Sequence, residues 1–182
     1  MCIRDRPHAE RNCLSFIDAA VGLAVDRNPM FWEGWRFIAI GEDFEPSHLK
    51  VSNRIEISGR LSLLEYAELA SRAALGMSFM VSPHPSYPPM EFAAAGVLVL
   101  TNTYSSRDIS DLHDNICSID QFDLDACVNT LMQMAEQWTE NPGIGWQGES
   151  HVDWFFDGGS NLHEMAGNVA KEILELRGRR DE

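Results

Sequence analysis

Ser82-Pro83-His84-Pro85-Ser86-Tyr87-Pro88-Pro89-Met90-Glu91-Phe92-Ala93-Ala94-Ala95-Gly96 stands between two apolar runs. Ala74-Leu75-Gly76-Met77-Ser78-Phe79-Met80 precedes it and Val97-Leu98-Val99-Leu100 follows it. Both runs read as buried strands, over 75–80 and 97–101. Four prolines fix φ and hold off strand and helix until Pro89. A proline near the first helical turn is expected, because N–H groups there lack internal partners anyway. A helix over 89–95 follows. The free N–H groups and the dipole of its first turn suit an anion. Glu91 lies about one turn inside, on the loop side. The arrangement fits a diphosphate on the backbone and a carboxylate gripping a neighbouring hydroxyl. A plain proline-rich connection would show the same prolines without that chemistry.

Working outward, helices and strands alternate. Asn12 to Asn28 reads as a helix, with Leu14, Ile17, Val21, Ala24 and Val25 at helical spacing and Asn28-Pro29 ending it. Trp35 to Ile40 is a short β-prone run closed by Gly41, and Arg54-Ile55-Glu56-Ile57 alternates as a second strand. Residues 42–50 form a polar connection. Ser62-Leu63-Leu64-Glu65 is a capping box, with Leu61 and Tyr66 at the positions of a hydrophobic staple. Ile116-Cys117-Ser118-Ile119 reads as a strand. Asp123 caps a helix to about Thr139, with Leu124, Cys127, Val128, Leu131 and Met134 on one face. A Gly-rich loop covers 141–150, Trp154-Phe155-Phe156 is apolar enough to pack, and a last helix covers 161–176. This order predicts an α/β domain: a Rossmann-like parallel sheet with helices on both faces. Ligands in such sheets bind at strand carboxyl ends. Gly41-Glu42, Ser58-Gly59-Arg60 and the proline loop all lie at such ends.

Composition narrows the function. The chain has 182 residues, 45% hydrophobic and 23% charged, enough for one domain with a real core. A net charge of −14 repels phosphate backbones, so nucleic acid is not an expected partner. The four cysteines, Cys2, Cys13, Cys117 and Cys127, form no Cys-x-x-Cys pair and read as small buried hydrophobes. That usage suggests a reducing, cytoplasmic setting, with peripheral attachment at the inner face of the membrane left open. No apolar run is long enough to span a bilayer. Arg177-Gly178-Arg179-Arg180 is the only basic cluster. Met1-Cys2-Ile3-Arg4-Asp5 resembles a translated vector or adapter scar and is set aside, leaving 6–140 as the main domain and 141–182 as its completion.

Strand, proline loop, Pro-Pro-x-Glu-x-Ala-Ala-x-Gly, strand resembles the donor-binding motif of retaining GT-B glycosyltransferases. It is most similar to bacterial rhamnosyltransferases of the WsaF type, which carry a His-Pro-Ser-Tyr-Pro-Pro-Leu-Glu string. The resemblance covers roughly residues 6–140 and implies the C-terminal half of a GT-B fold, with the N-terminal acceptor domain absent. It implies a dTDP- or UDP-sugar donor, plausible as dTDP-rhamnose, a glycan acceptor reached through the missing domain, and no cofactor or metal. Glu91 matches the second Glu of the family's Glu-x7-Glu and would bind ribose hydroxyls. Pro83 stands where the first Glu belongs.

By the same resemblance, Arg6 and Arg11 match a basic pair five residues apart that neutralises the diphosphate. A guanidinium can grip two phosphate oxygens at once. Donor stabilisation would thus fall to Arg11 and Glu91, with no catalytic residue assigned. Arg11 reads equally as a solvated helix-start residue, and Arg6 adjoins the scar. His84, Pro85, Ser86, Tyr87 and Pro88 occupy the loop over phosphates and sugar. Tyr87 can instead be an aromatic wedge and His84 an ordinary loop residue. Ser58, Gly59 and Arg60 stand where the family's backbone meets the base, or form a simple turn. Asn102 or Thr103 could touch the donor, with a turn as the alternative. Asp108, Asp111 and Asp114 read as a capping-rich turn rather than a metal site. Two rivals remain: a non-catalytic nucleotide- or sugar-binding module of the same fold, and an unrelated doubly wound domain.

Overall fold

The computed structural model describes residues 12–41, 53–83, 86–120 and 122–152. Two compact units divide the chain, Met1–Glu149 and Ser150–Glu182, and every element below belongs to the first. In chain order these are α1 (Leu14–Arg27), β1 (Phe37–Ile40), β2 (Ile55–Gly59), α2 (Leu63–Ala70), β3 (Leu75–Met77), α3 (Tyr87–Ala94), β4 (Leu98–Asn102), β5 (Ile116–Ile119) and α4 (Leu124–Glu140). Short 3-10 turns cover Ser110–Leu112 and Ile144–Gln147. The connection at 42–50, Trp154-Phe155-Phe156 and the helix expected over 161–176 lie outside the described residues.

All strand pairs are parallel, and helices flank them. The ladders fall into two groups, β1-β2 and β3-β4-β5. Among the described residues no ladder joins β1 or β2 to β3. β4 lies between β3 and β5, and all five of its residues are buried. Along β4 successive side chains alternate faces. Leu98 and Leu100 join the core formed with Ala20 and Ala24 of α1 and with Cys127, Val128, Leu131 and Met134 of α4. Val99 turns to the other face. Gly76 of β3 lets Phe92 of α3 close onto the sheet, where even a Cβ would lie 3.1 Å from the Phe92 ring.

Local chemistry explains where the elements begin. The Ser62 hydroxyl accepts from the Glu65 N–H, and a Glu65 carboxylate oxygen accepts from the Ser62 N–H at 2.8 Å, completing the capping box. Asp123 accepts from the Ala126 N–H at 2.7 Å and starts α4. α3 starts at Tyr87, two residues before Pro89, because Pro88 and Pro89 fit the first turn with φ already set. β3 ends at Met77 rather than residue 80, because a side chain of β4 takes over the backbone of Met80, as described below. Trp35 precedes β1 and joins an aromatic cluster with Phe31, Trp32, Phe37 and Trp138. Trp32 is fully buried and donates its indole N–H to the Met132 sulfur at 3.1 Å.

Glycine permits one contact that fastens the rear of α3. The turn at 144–147 lies against Gly96, so close that a Cβ on Gly145 would fall 1.9 Å from the Gly96 carbonyl oxygen. The Asn115 amide donates to the carbonyls of Ala93 and Gly145, at 3.0 and 2.8 Å. Gly145→Ala should therefore lower stability by ~1–3 kcal/mol, the usual cost of overpacking. Gly34→Ala, with nothing within 4 Å of the added Cβ, should not. Thermal unfolding of the two variants checks the contrast.

Candidate functional site

The carboxyl ends of the strands carry the candidate residues. β2 ends in an irregular register: Ala39 pairs with Ile57 and Ile40 with Gly59, so Ser58 is left over. This turns Ser58 to solvent and puts Gly59 at φ 67, a left-handed conformation natural to glycine. The Gly41 N–H donates to the Gly59 carbonyl at 2.9 Å, tying the two strand ends together. Arg60 is exposed. Among the described residues, neither Ser58 nor Arg60 makes a hydrogen bond or ion pair to α3.

Beyond β3 the chain is held by β4. Asn102 is buried at the end of β4, and its amide brackets Met80, accepting from the N–H at 2.8 Å and donating to the carbonyl at 3.2 Å. Thr101 donates to the Ser78 carbonyl at 2.7 Å. Arg107, also buried, donates to the carbonyls of Met80 and Asn102, both at 2.9 Å. Burial pulls its pKa below the ordinary value, while nearby Cys13 and Asp108 act the other way. Asn102 was expected in a turn or against a ligand; it is a strand residue that fixes the root of the proline loop. Arg107 carried no signal in the sequence, an arginine in a polar connection that proves 7% exposed.

Ser86 is the N-cap of α3, half-buried, with no side-chain capping bond. Tyr87 is exposed and Pro88 half-buried. The earlier helix start revises the anion argument. Of the four N-terminal positions, Ser86, Tyr87, Pro88 and Pro89, only the first two carry an N–H at all. Arg6, Arg11, His84 and Pro85 lie outside the described residues.

Glu91 is exposed on α3 and accepts a 2.8 Å hydrogen bond from the Tyr66 hydroxyl. Tyr66 also lays its ring on Phe92, with centroids 5.6 Å apart and planes inclined by 31°. It thus links α2 to α3 as well as occupying the staple position. Burial raises the Tyr66 pKa well above the ordinary phenol value, and the neighbouring Glu91 raises it further. The phenol therefore stays protonated and keeps donating. An ionised carboxylate has acceptor capacity at both oxygens, so one bond from Tyr66 leaves Glu91 able to accept another.

The remaining polar groups do structural work. Asp108 accepts from the N–H and hydroxyl of Ser110, at 3.0 and 2.9 Å, and Asp114 accepts from the Glu149 N–H at 2.9 Å. Among the described residues no three His, Cys, Asp or Glu side chains converge as a metal site. Burial raises the pKa of the Cys13, Cys117 and Cys127 thiols, that of Cys127 to about 12. They are poor nucleophiles at neutral pH. No helix among the described residues is long and apolar enough to cross a membrane.

Parallel strands flanked by helices, with a proline-led helix at the carboxyl end of β3, make a Rossmann-like α/β domain, and the family match makes it a C-terminal domain of the GT-B glycosyltransferase kind. The chain belongs to the family described as WsaF, C-terminal domain, whose model matches residues 1–132. Among solved structures it is similar to the pneumococcal O-GlcNAc transferase GtfA in complex with UDP and GlcNAc, at 14% identity and a TM-score of 0.58 over 92% of this chain and 34% of that one. It is similar also to the GtfA/B complex, at 14% identity and a TM-score of 0.51 over 75% of this chain and 32% of that one. The chain thus spans about a third of the length of these structures. No curated protein matches in sequence.

Asn102→Ala should destabilise the domain by on the order of 1–3 kcal/mol, because the buried Met80 N–H loses its partner. Hydrogen exchange should quicken first at Met80. Denaturant melts with amide-resolved exchange measure both.

Proposed function

We propose that this domain holds the nucleotide-diphosphate sugar of a glycosyltransferase that extends a cell-surface glycan. The observation that carries the reading is Glu91, set on α3 just past the carboxyl end of β3 and held by Tyr66. A carboxylate fixed by one neutral donor can accept from a nucleotide ribose hydroxyl with its remaining capacity. The rhamnosyltransferase-like string around it favours dTDP-rhamnose as donor, and the fold shared with a transferase solved with UDP makes a UDP-sugar the next candidate.

Transfer requires stabilising the negative charge that collects on the departing diphosphate. Pro88 and Pro89 remove two of the usual helix-end donors. A larger share of that work therefore falls to Arg11 and Arg6, which can bind phosphate oxygens in pairs, and to His84 and the N–H groups of Ser86 and Tyr87. Ser58, Gly59 and Arg60 would face the base, and Pro85, Tyr87 and Pro88 the sugar side of the loop. The acceptor would come from a further domain, so this polypeptide binds donor nucleotide but turns over little by itself. Pro83, in place of the family's first Glu, also favours a second reading, a donor-binding module without catalysis. Sugar transfer or donor hydrolysis after the acceptor domain is added separates the two.

Calorimetric titration with dTDP, UDP and GDP tests the proposal. One nucleotide, dTDP first, should bind saturably. Glu91→Ala should weaken it roughly ten-fold or more, as expected for a hydrogen bond to a charged group. Tyr66→Phe, which keeps the ring on Phe92, should weaken it less. Failure of all three nucleotides, both with this chain and with the acceptor domain restored, would end the reading.

A further inference from the structure

The bond from Tyr66 to Glu91 joins two fixed supports. Tyr66 stands in the first turn of α2, where the capping box sets the backbone and the Tyr66 N–H donates to the Ser62 carbonyl at 2.9 Å. Its ring lies on Phe92, and Phe92 lies on Gly76, 3.1 Å from where a Cβ of that glycine would stand. The phenol is thus braced through Phe92 against β3. Glu91 rides on α3, which Asn115 holds at the rear through the Ala93 carbonyl. Between these supports the phenol oxygen comes to 2.8 Å from Glu91 Oε2.

Packing does not require that hydroxyl. A phenylalanine at 66 would keep the ring on Phe92 and the place in the staple. Glu91 is exposed, so water can satisfy its carboxylate. Among the described residues the hydroxyl has no partner but Glu91, and the Glu91 carboxylate no donor but Tyr66. The hydroxyl therefore acts on one thing, the acceptor capacity of Glu91. Burial and the neighbouring carboxylate raise the Tyr66 pKa, so the phenol donates throughout the neutral range. Oε2 is engaged before a ligand arrives, and Oε1 accepts from none of the described residues.

That asymmetry matters to a pair of sugar hydroxyls. Ribose presents its 2′- and 3′-hydroxyls side by side, one for each oxygen of an open carboxylate, and each bond to a charged acceptor is a strong one. 2′-Deoxyribose presents the 3′-hydroxyl alone. Against Glu91 the second ribose hydroxyl finds no oxygen to itself. It shares Oε2 with the phenol or turns to the phenol oxygen, a neutral and weaker acceptor. It gives up water without a full replacement. The 3′-hydroxyl of deoxyribose takes Oε1 and leaves no second hydroxyl to place. We propose that Tyr66 sets the pentose specificity of the nucleotide site, favouring 2′-deoxynucleoside diphosphates by keeping one oxygen of Glu91 occupied. Tyr66 acts through Glu91 as a positioning residue, and the inference rests on the reading of Glu91 as the carboxylate that meets the nucleotide's pentose.

Calorimetric titration with two matched pairs tests it: dTDP against 5-methyluridine diphosphate, and 2′-deoxyuridine diphosphate against UDP. Within a pair only the 2′-hydroxyl differs. In the native chain the deoxy member should bind at least as tightly as the ribo member. In Tyr66→Phe, with folding checked by thermal unfolding, the ribo member should gain roughly ten-fold on its deoxy partner, the worth of one hydrogen bond to a charged group. Combining Glu91→Ala with Tyr66→Phe should abolish that gain. A purely structural role for Tyr66 would weaken both members alike and leave their ratio unchanged, and that result overturns the proposal. A native preference for the ribo member overturns it too, as does a gain that survives in the double variant. Failure of all four to bind, also with the acceptor domain added, ends the reading of Glu91 itself and this inference with it.

Discussion

The fold depends on the obligation to pair the backbone of β4. Its five residues are buried on both faces, so each N–H and C=O must find a partner within the protein. Parallel ladders to β3 and β5 meet that demand along the strand. At its end, where the ladder stops, Asn102 and Arg107 continue the pairing with side-chain atoms and capture Met80. The proline loop thus starts from a point fixed by the core rather than from a free strand end. The candidate site inherits its position from a pairing rule.

Helix ends were the most legible part of the sequence. The capping box at Ser62 and Glu65 and the cap at Asp123 involve partners three residues apart, and so are written in order along the chain. The apolar stripe of α4 is read in the same way. The proline-led helix and its Glu91 were visible too, though the start was read two residues late. A proline halts a helix in its interior but is accepted in the first turn, and spacing alone does not separate the cases.

Long-range partners were the illegible part. Tyr66 looked like a local staple residue because its partners, Glu91 and Phe92, lie some 25 positions on. Asn102 looked like a turn residue because its role depends on Met80, beyond the end of another strand. The apolar runs of β1 and β3 said that both are strands, but not that β1 pairs with β2 and β3 with β4. Hydrophobicity records how much of a strand is to be covered, not by what.

The contact between Gly96 and Gly145 has a mechanical consequence for α3. At its rear the helix is pinned: the 144–147 turn leaves no room for a methyl group, and Asn115 bridges Ala93 to Gly145. At its front it is stiffened by two prolines and steadied through Tyr66. A rod clamped at one end cannot slide along its axis; it can only swing. Any adjustment of the front turn toward a bound molecule is thus an arc about Gly96, and Glu91, near mid-rod, travels less than Ser86 at the tip.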